Sequence, residues 1–488
     1  MTKLPICAVQ KAEPEPSSMI ETFRAIGYSM EAAVADILDN SISAGAKNIW
    51  VDFDWKGSET WLSIRDDGSG MNSEQLIQAM RPGSKNPTES RDAKDLGRFG
   101  LGLKTASFSQ CRRLTVLSKT KETQPDYWTW DLDYVRESGE WNLIKMQQNQ
   151  PQLDWLATQI SGTVVVWNEL DRLVKNVTED DEVARSKFLA ELKKVKSHLE
   201  IVFHRFIGPG KIRIYFQERP LEAWDPFLES HPATQKMPVD KYHNGKILVK
   251  GFILPHKSKF ESERAFNAAS GPYGWNAHQG FYIYRNERLL VVGDWFRMFK
   301  KEEHYKLARI QIDLPNDLDE DWQIDIKKSI ARPPLKLQDK LKAYASNVRA
   351  KAVEVYRHKG KVIQQKFRSE KFHPIWQEKV RRGKRFYEIN RDHPFVIEMI
   401  GQMGHPKQAE QLFRFIEETV PVPLISIKES EEPEKHGVAF EGADTAPIKT
   451  LMLQMLESLI SKGVPSDEAK GQILSMEPFN QFPHFFNQ

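Results

Sequence analysis

Three short polar blocks follow one another between Glu31 and Lys104, and no other stretch of the chain constrains its fold so tightly. The first is Ala35-Asp36-Ile37-Leu38-Asp39-Asn40-Ser41. Around it, Ala33, Val34, Ile37, Leu38 and Ile42 recur at helical spacing, which predicts a helix with one buried face. Asp36 and Asn40 stand four residues apart and share another face of that helix, one turn from each other. A carboxylate can polarise a water, and an amide oxygen is a hard ligand suited to Mg²⁺. A solvated polar face with a structural Asn is the other reading of the same residues. Ala44-Gly45-Ala46 then ends the helix.

The second block, Ile64-Arg65-Asp66-Asp67-Gly68-Ser69-Gly70-Met71, follows a strand that begins at Trp61. Gly68 and Gly70 let the backbone come close to a flat ligand, and Asp66 just before them can accept from an exocyclic amine. An ordinary Asp-Gly turn after an edge strand fits the same letters. The third block is Gly97-Arg98-Phe99-Gly100-Leu101-Gly102-Leu103-Lys104. Its glycines would present backbone N–H groups to phosphates at the start of a helix. It is not a P-loop, because no Gly-Lys-Ser/Thr ends it. Nor is it a Rossmann turn, because the strand–turn–helix unit is absent.

In order and spacing the three blocks resemble the GHKL ATPases (gyrase, Hsp-type chaperones, histidine kinases and MutL), whose ATP site is the Bergerat fold. Within that group the run Gly100 to Lys104 after Gly97 is similar to MORC and MutL proteins and their prokaryotic relatives. The resemblance covers residues 20–335, with specific motifs from 31 to 170. It implies ATP and Mg²⁺ as cofactors, with Asn40 holding Mg²⁺ between the phosphates. Asp66 would bond the adenine amino group, and Gly68, Gly70 and Met71 would shape the base pocket. Gly97, Arg98, Phe99, Gly100, Leu101, Gly102, Leu103 and Lys104 would wrap the phosphates. Residues 81–96 would form a mobile lid, with Ser84 and Lys85 near its start. Thr163 matches the later Gly-Thr that supports the base through the adenine-binding Asp. The family usually carries Glu four residues before the Mg-binding Asn. Here that place is Asp36, one methylene shorter, so slow turnover is the expectation.

The resemblance also implies the architecture: an α+β chain with a GHKL ATP-binding α/β sandwich at 19–175 and a transducer-like α/β domain at 176–335, followed by a mainly helical C-terminal region. Strands are predicted at 48–54, 60–65, 114–118 and 163–166 in the first part, and at 211–216, 246–252, 280–284 and 307–314 in the second. Tyr284-Arg285-Asn286-Glu287-Arg288-Leu289-Leu290 is similar to the transducer's "RN-x-R-L" turn. One transducer lysine senses the γ-phosphate in relatives; Lys327 is the first choice and Lys328 the second. A point cation on a mobile loop is what detecting that added charge requires.

At 488 residues the chain is too long for one core. Cys7 and Cys111 make no disulfide framework or Cys-rich zinc site, as a reducing cytoplasm expects. No run of apolar residues is long enough for a membrane span. Residues 1–18 are polar and proline-containing, and read as a flexible arm. Between Lys336 and Phe386 there are 16 Lys/Arg against 4 Asp/Glu, an excess of +12 in a chain whose net charge is only +3. This basic helical region, 336–425, is an electrostatic footprint for DNA, or an arm that docks on acidic parts of the same protein. An acidic linker and an amphipathic helix follow at 426–488. The helix carries Ile448, Leu451, Met452, Met455, Leu456 and Ile460 on one stripe. Such a stripe docks on its own chain or on a companion effector protein.

The sequence thus reads as a slow, MORC/MutL-like ATPase that closes as an ATP-dependent homodimeric clamp on DNA or a protein partner, in a setting of prokaryotic anti-phage defence or restriction. Two other readings stay open: a nucleotide-gated scaffold that does not hydrolyse, and a histidine-kinase-like phosphotransferase.

Overall fold

A computed structural model describes residues 10, 14–83, 102–146, 150–319, 321–325, 328, 331–356, 373–381, 384–402, 404–422, 424, 425, 440 and 444–486. The chain divides into two compact units, Met1–Ala352 and Val353–Gln488.

The first unit holds two sheets. The seven strands of the first are β1 (Asn48–Asp54), β2 (Trp61–Asp66), β3 (Arg113–Lys119), β4 (Asp126–Asp131), β5 (Gly162–Asn168), β6 (Arg213–Phe216) and β7 (Arg219–Pro220), in the order β4-β3-β5-β2-β1-β6-β7. All neighbours are antiparallel except β1 and β6. Both faces are covered, which is why β5 reads as an unbroken apolar run. Val165 and Trp167 join the main core, whereas Val164 and Val166 pack with Leu117 and Leu156 in a separate cluster. The helices here are α1 (Pro16–Ala25), α2 (Met30–Ser43), α3 (Ser73–Met80), α4 (Gly102–Phe108), α5 (Leu132–Ser138), α6 (Gln150–Thr158) and α7 (Glu182–Val202). Helix α2 packs against α4 and α7.

α7 is strongly charged, yet its apolar stripe, Phe188, Leu192, Val195 and Leu199, is part of the first core. After α7 the chain returns to the first sheet, where β6 pairs with β1 over residues 213–216. Residues 213–220, expected in the transducer, therefore belong to the first sheet. β4, unassigned in the sequence, pairs along its whole length with β3.

The second sheet comprises β8 (Gln235–Lys236), β9 (Asp240–Tyr242), β10 (Ile247–Ile253), β11 (Gly280–Arg285), β12 (Arg288–Asp294) and β13 (Ala308–Leu314), in the order β12-β11-β13-β10-β8 with β9 also on β10. Helices α8 (Glu263–Ala269) and α9 (Gly274–Ala277) lie between β10 and β11 in the chain. The Asn286-Glu287 turn joins β11 to β12 with both residues in the left-handed region (φ 47° and 66°), the geometry that matches strand twist in a two-residue hairpin. Helix α10 (Leu335–Tyr356) packs on this sheet: a Cβ on Gly251 would fall 2.6 Å from Val348 Cγ2, so only glycine admits the helix there. The Tyr344 hydroxyl accepts from Gly251 N and donates to Pro238 O, each at 2.7 Å.

The second unit contains β14 (Trp376–Arg381), β15 (Lys384–Ile389), α11 (Pro394–Gln402), α12 (Pro406–Thr419), α13 (Ala446–Ser461) and α14 (Ser466–Leu474). A hairpin, β14–β15, thus stands inside the region expected to be helical. The α13 stripe meets its own unit: Met452 and Met455 form a core with Ile473, Met476, Phe479 and Phe482, and Ile448, Leu451 and Leu456 pack against it. Among the described residues no helix is long and apolar enough to cross a membrane.

One buried cation ties α1 to the sheet. Arg24 is 4% exposed; it chelates Asp171 at 2.9 and 2.7 Å and donates to the carbonyls of Phe108 and Cys111. Arg24→Ala removes all four bonds and leaves Asp171 half-buried without its chelating partner. A loss of about 3 kcal/mol in urea-unfolding free energy is expected, in the range for breaking one side of a buried pair.

Candidate functional site

Helix α2 supplies the first half of the site. The helix is buried on more than one face, because α4, α7 and the sheet surround it. Asp36 and Asn40, predicted on one face, part company here: Asp36 is 2% exposed and Asn40 is exposed. Asp36 Oδ2 accepts from the Tyr28 hydroxyl at 2.9 Å. Asp36 Oδ1 lies 3.2 Å from Lys328 Nζ and, among the described residues, accepts no hydrogen bond. Burial pushes the Asp36 carboxyl above its ordinary range, against the pull of Lys328. Burial opposes the charge on Lys328 too, but Asp36 and Asp39 outweigh it, so the ammonium is held more firmly than usual.

Asp66, at the end of β2, is the other buried acid, 5% exposed. Its Oδ2 accepts from the Ser41 hydroxyl at 2.8 Å and its Oδ1 from Gly68 N at 2.9 Å. Burial pushes its carboxyl up to about 6, with the Ser41 and Gly68 hydrogen bonds working the other way. Thr163 stands directly opposite Asp66 in the β2–β5 register. Ser118 links the surroundings: its hydroxyl bonds Thr163 Oγ1 at 2.9 Å and the Gly162 carbonyl at 3.0 Å, and accepts from Met71 N at 2.9 Å. The two glycines after Asp66 answer first to the protein's own backbone. A Cβ on Gly70 (φ 65°) would fall 1.8 Å from the Lys119 carbonyl, and one on Gly68 would fall 2.9 Å from Ala44 Cβ.

The third block is described only from Gly102 onward. Ser84, Lys85, Gly97, Arg98, Phe99, Gly100 and Leu101 lie outside the described residues, as do the expected lid beyond Gly83 and Lys327. At the start of α4, a Cβ on Gly102 would lie 3.6 Å from Asp36 Oδ2, so the end of this block meets the first. Leu103 packs against the core. Lys104 is buried, and its ammonium donates to the Ala79 carbonyl at 2.9 Å.

Sequence reasoning missed Tyr28, Ser41, Ser118, Asp39 and Arg288. Ser41 had a signal, since it follows Asn40 inside the first block. The partners of Asp39 come from 249 and 289 residues away; Arg288 stands in the RN-x-R-L turn and Lys328 was a candidate phosphate sensor, but no local pattern pairs either with Asp39.

The donor set suits a magnesium nucleotide. An exposed amide sits one helical turn from a buried carboxylate, and a second buried carboxylate lies beyond a tight turn. Among the described residues no group of three or more His, Cys, Asp or Glu could hold a metal alone. A cation at Asn40 would therefore need oxygens from the nucleotide.

Asp36 on the central helix and Asp66 at a strand end, both buried, are acids on which the GHKL resemblance rests. Residues 28–163 match the family described as histidine kinase-, DNA gyrase B-, and HSP90-like ATPase. Among curated proteins, MutL of Dictyoglomus turgidum, a DNA mismatch repair protein, is 40% identical over 190 residues, 38% of this chain and 28% of its own length. ATPase morc-1 of Caenorhabditis elegans is 33% identical over 88 residues, 18% of this chain and 10% of its own. MutL of Pseudomonas fluorescens is 38% identical over 96 residues, 19% of this chain and 14% of its own. Residues 28–163 thus match a GHKL-type domain, and the chain is similar to MORC and MutL proteins over 18–38% of its length. It spans less than a third of the length of each of these relatives.

Asp66 gives a prediction whose stability and binding arms run in opposite directions. Its folded pKa lies above the ordinary 3.8, so the stability it contributes is present below pH 3.8 and is lost as pH rises through about 6. Asp66→Asn keeps the shape and removes the buried charge. At pH 7 it is expected to raise the unfolding free energy by up to about 3 kcal/mol, from roughly two pKa units. That gain closes between pH 6 and 4 in thermal melts. The same variant loses ATP binding in calorimetry, and wild-type affinity weakens below about pH 6 as the acceptor takes up a proton.

Proposed function

We propose that this chain is a slow, Mg²⁺-dependent ATPase that works as a nucleotide-gated, dimerising clamp on DNA or a protein partner. The observation that carries hydrolysis is Asp36 Oδ1: a buried carboxylate oxygen with the Lys328 ammonium 3.2 Å away and, among the described residues, no hydrogen bond. That oxygen is the acceptor for a proton of the attacking water, and burial has raised its basicity toward the working range of a general base. Bound Mg²⁺–ATP supplies the phosphoanhydride and a cation that offsets phosphate charge. The chain supplies the rest. Asp66 accepts from the adenine amine, with Thr163 and Ser118 behind it and Met71 beside the base. Asn40 offers its amide oxygen to the cation. Lys328, on the segment before α10, answers the γ-phosphate; Lys327 stays the alternative for that role.

The clamp and DNA roles rest on likeness to MutL and MORC proteins and on the local excess of positive charge at 336–386. A companion effector and an anti-phage setting come from the same family likeness. A second reading, a nucleotide-gated scaffold that does not turn over, has one observation in its favour: Lys328 and Tyr28 flank both oxygens of Asp36.

Light scattering with no nucleotide, with ATP–Mg²⁺ and with a non-hydrolysable analogue, run beside phosphate release, separates the readings. A monomer that becomes a dimer with either nucleotide, with slow phosphate release, is expected. Dimerisation with no release would leave the scaffold. Asp36→Ala is expected to bind ATP within a few-fold of wild type and to lose turnover by about 10²-fold or more. Unchanged turnover would remove Asp36 from the reaction.

A further inference from the structure

The roles above leave Asp39 unused, although its side chain has no solvent exposure at all. It lies on α2 between Leu38 and Asn40, one turn from Asp36. Its two oxygens are divided between two elements that come from far along the chain. Oδ1 accepts from Arg288 Nε at 3.0 Å, and Oδ2 accepts from Lys328 Nζ at 2.8 Å. Arg288 opens β12 directly after the hairpin turn. It is braced in turn by the Leu289 carbonyl and by the Phe203 ring, 4.6 Å from its guanidinium carbon.

Three features separate this arrangement from plain cohesion. Lys328 donates a hydrogen bond to Asp39 at 2.8 Å but only pairs with Asp36 Oδ1 at 3.2 Å, so Asp39 sets where the ammonium sits. Lys328 has a left-handed backbone (φ 52°), which a residue with a side chain adopts only when its surroundings demand it. The cluster also balances, with Asp36 and Asp39 against Arg288 and Lys328, so its geometry is set by pairing rather than by an excess charge seeking solvent.

We infer that Asp39, braced by Arg288, is a positioning residue: it holds Lys328 at the edge of the phosphate site, beside Asp36. The inference rests on the roles proposed for Asp36 and Lys328 in hydrolysis. By it, the β11–β12 hairpin and the Lys328 segment are aligned to the ATP-binding helix through one carboxylate.

The test uses the full chain. Asp39→Asn keeps the shape and removes the charge. ATP affinity is expected to stay within threefold, kcat to fall at least tenfold, and amide hydrogen exchange in the backbone around Lys328 to speed up while β1 and β2 are unchanged. Lys328→Met is expected to lower kcat similarly, and the double variant to add nothing further. Arg288→Lys, which keeps a cation on Asp39, is expected to retain most of the turnover that Arg288→Ala loses; this pair also serves if Asp39→Asn does not fold. Wild-type kcat in Asp39→Asn, additive losses in the double variant, or affinity and melting temperature falling together with kcat would each overturn the positioning role. A wild-type chain that releases no phosphate would sink the hydrolysis reading instead. Hydrogen exchange then decides the anchor by itself: faster exchange near Lys328 in Asp39→Asn supports it, and unchanged exchange overturns it.

Discussion

The rest of the first unit depends on how helix α2 tolerates two carboxylates in a dry interior. An ionised acid buried alone takes up a proton or unfolds its surroundings. Arg288 and Lys328 reach Asp36 and Asp39 from the second sheet and the segment beyond it and offset their charges. The apolar residues of α2 place the helix in the core, and its acids then require that second set of elements to dock. Stability and chemistry are joined at this point, since the charges that must be neutralised include the one proposed to act on water.

Asp66 shows the other solution to the same problem. It has no cation, only a hydroxyl and a backbone N–H, and burial leaves its carboxyl near 6. A site with two acids in such different surroundings separates their work. One is pushed up by burial with only a hydroxyl and a backbone N–H to oppose it, and the other is pushed up by burial and drawn back by lysine.

Much of this was legible in the sequence, and the reasons differ by element. β1 was read with the same limits the structure has, because its alternation is half-buried and clean. The pairing of Asp66 with Thr163 followed from family spacing and agrees with the strand register. The α2 faces were read only in part: periodicity marked the apolar residues but could not show that Asp36 and Asp39 turn inward while Asn40 stays out. That information lies in Arg288 and Lys328, hundreds of residues on; the sequence singled out both, in the RN-x-R-L turn and as a candidate phosphate sensor, without linking either to Asp39. The β14–β15 hairpin was hidden by its own charge, since a run rich in Lys and Arg reads as a solvated helix face as readily as a ribbon. The α13 stripe was read correctly as a surface that must be covered, but the sequence could not say that α14 and the aromatic turns after it do the covering.

The return of the chain to β1 through β6 has a consequence for dissecting this protein. A fragment cut at residue 175 would lose an edge of the first sheet and the α7 face of its core, and would expose the β1 ladder to any passing strand. A longer fragment ending at 220 would restore the sheet, yet strand Asp36 and Asp39 without either cation. The smallest autonomous piece is therefore set by electroneutrality, not by the edge of the sheet, and it runs at least as far as Lys328.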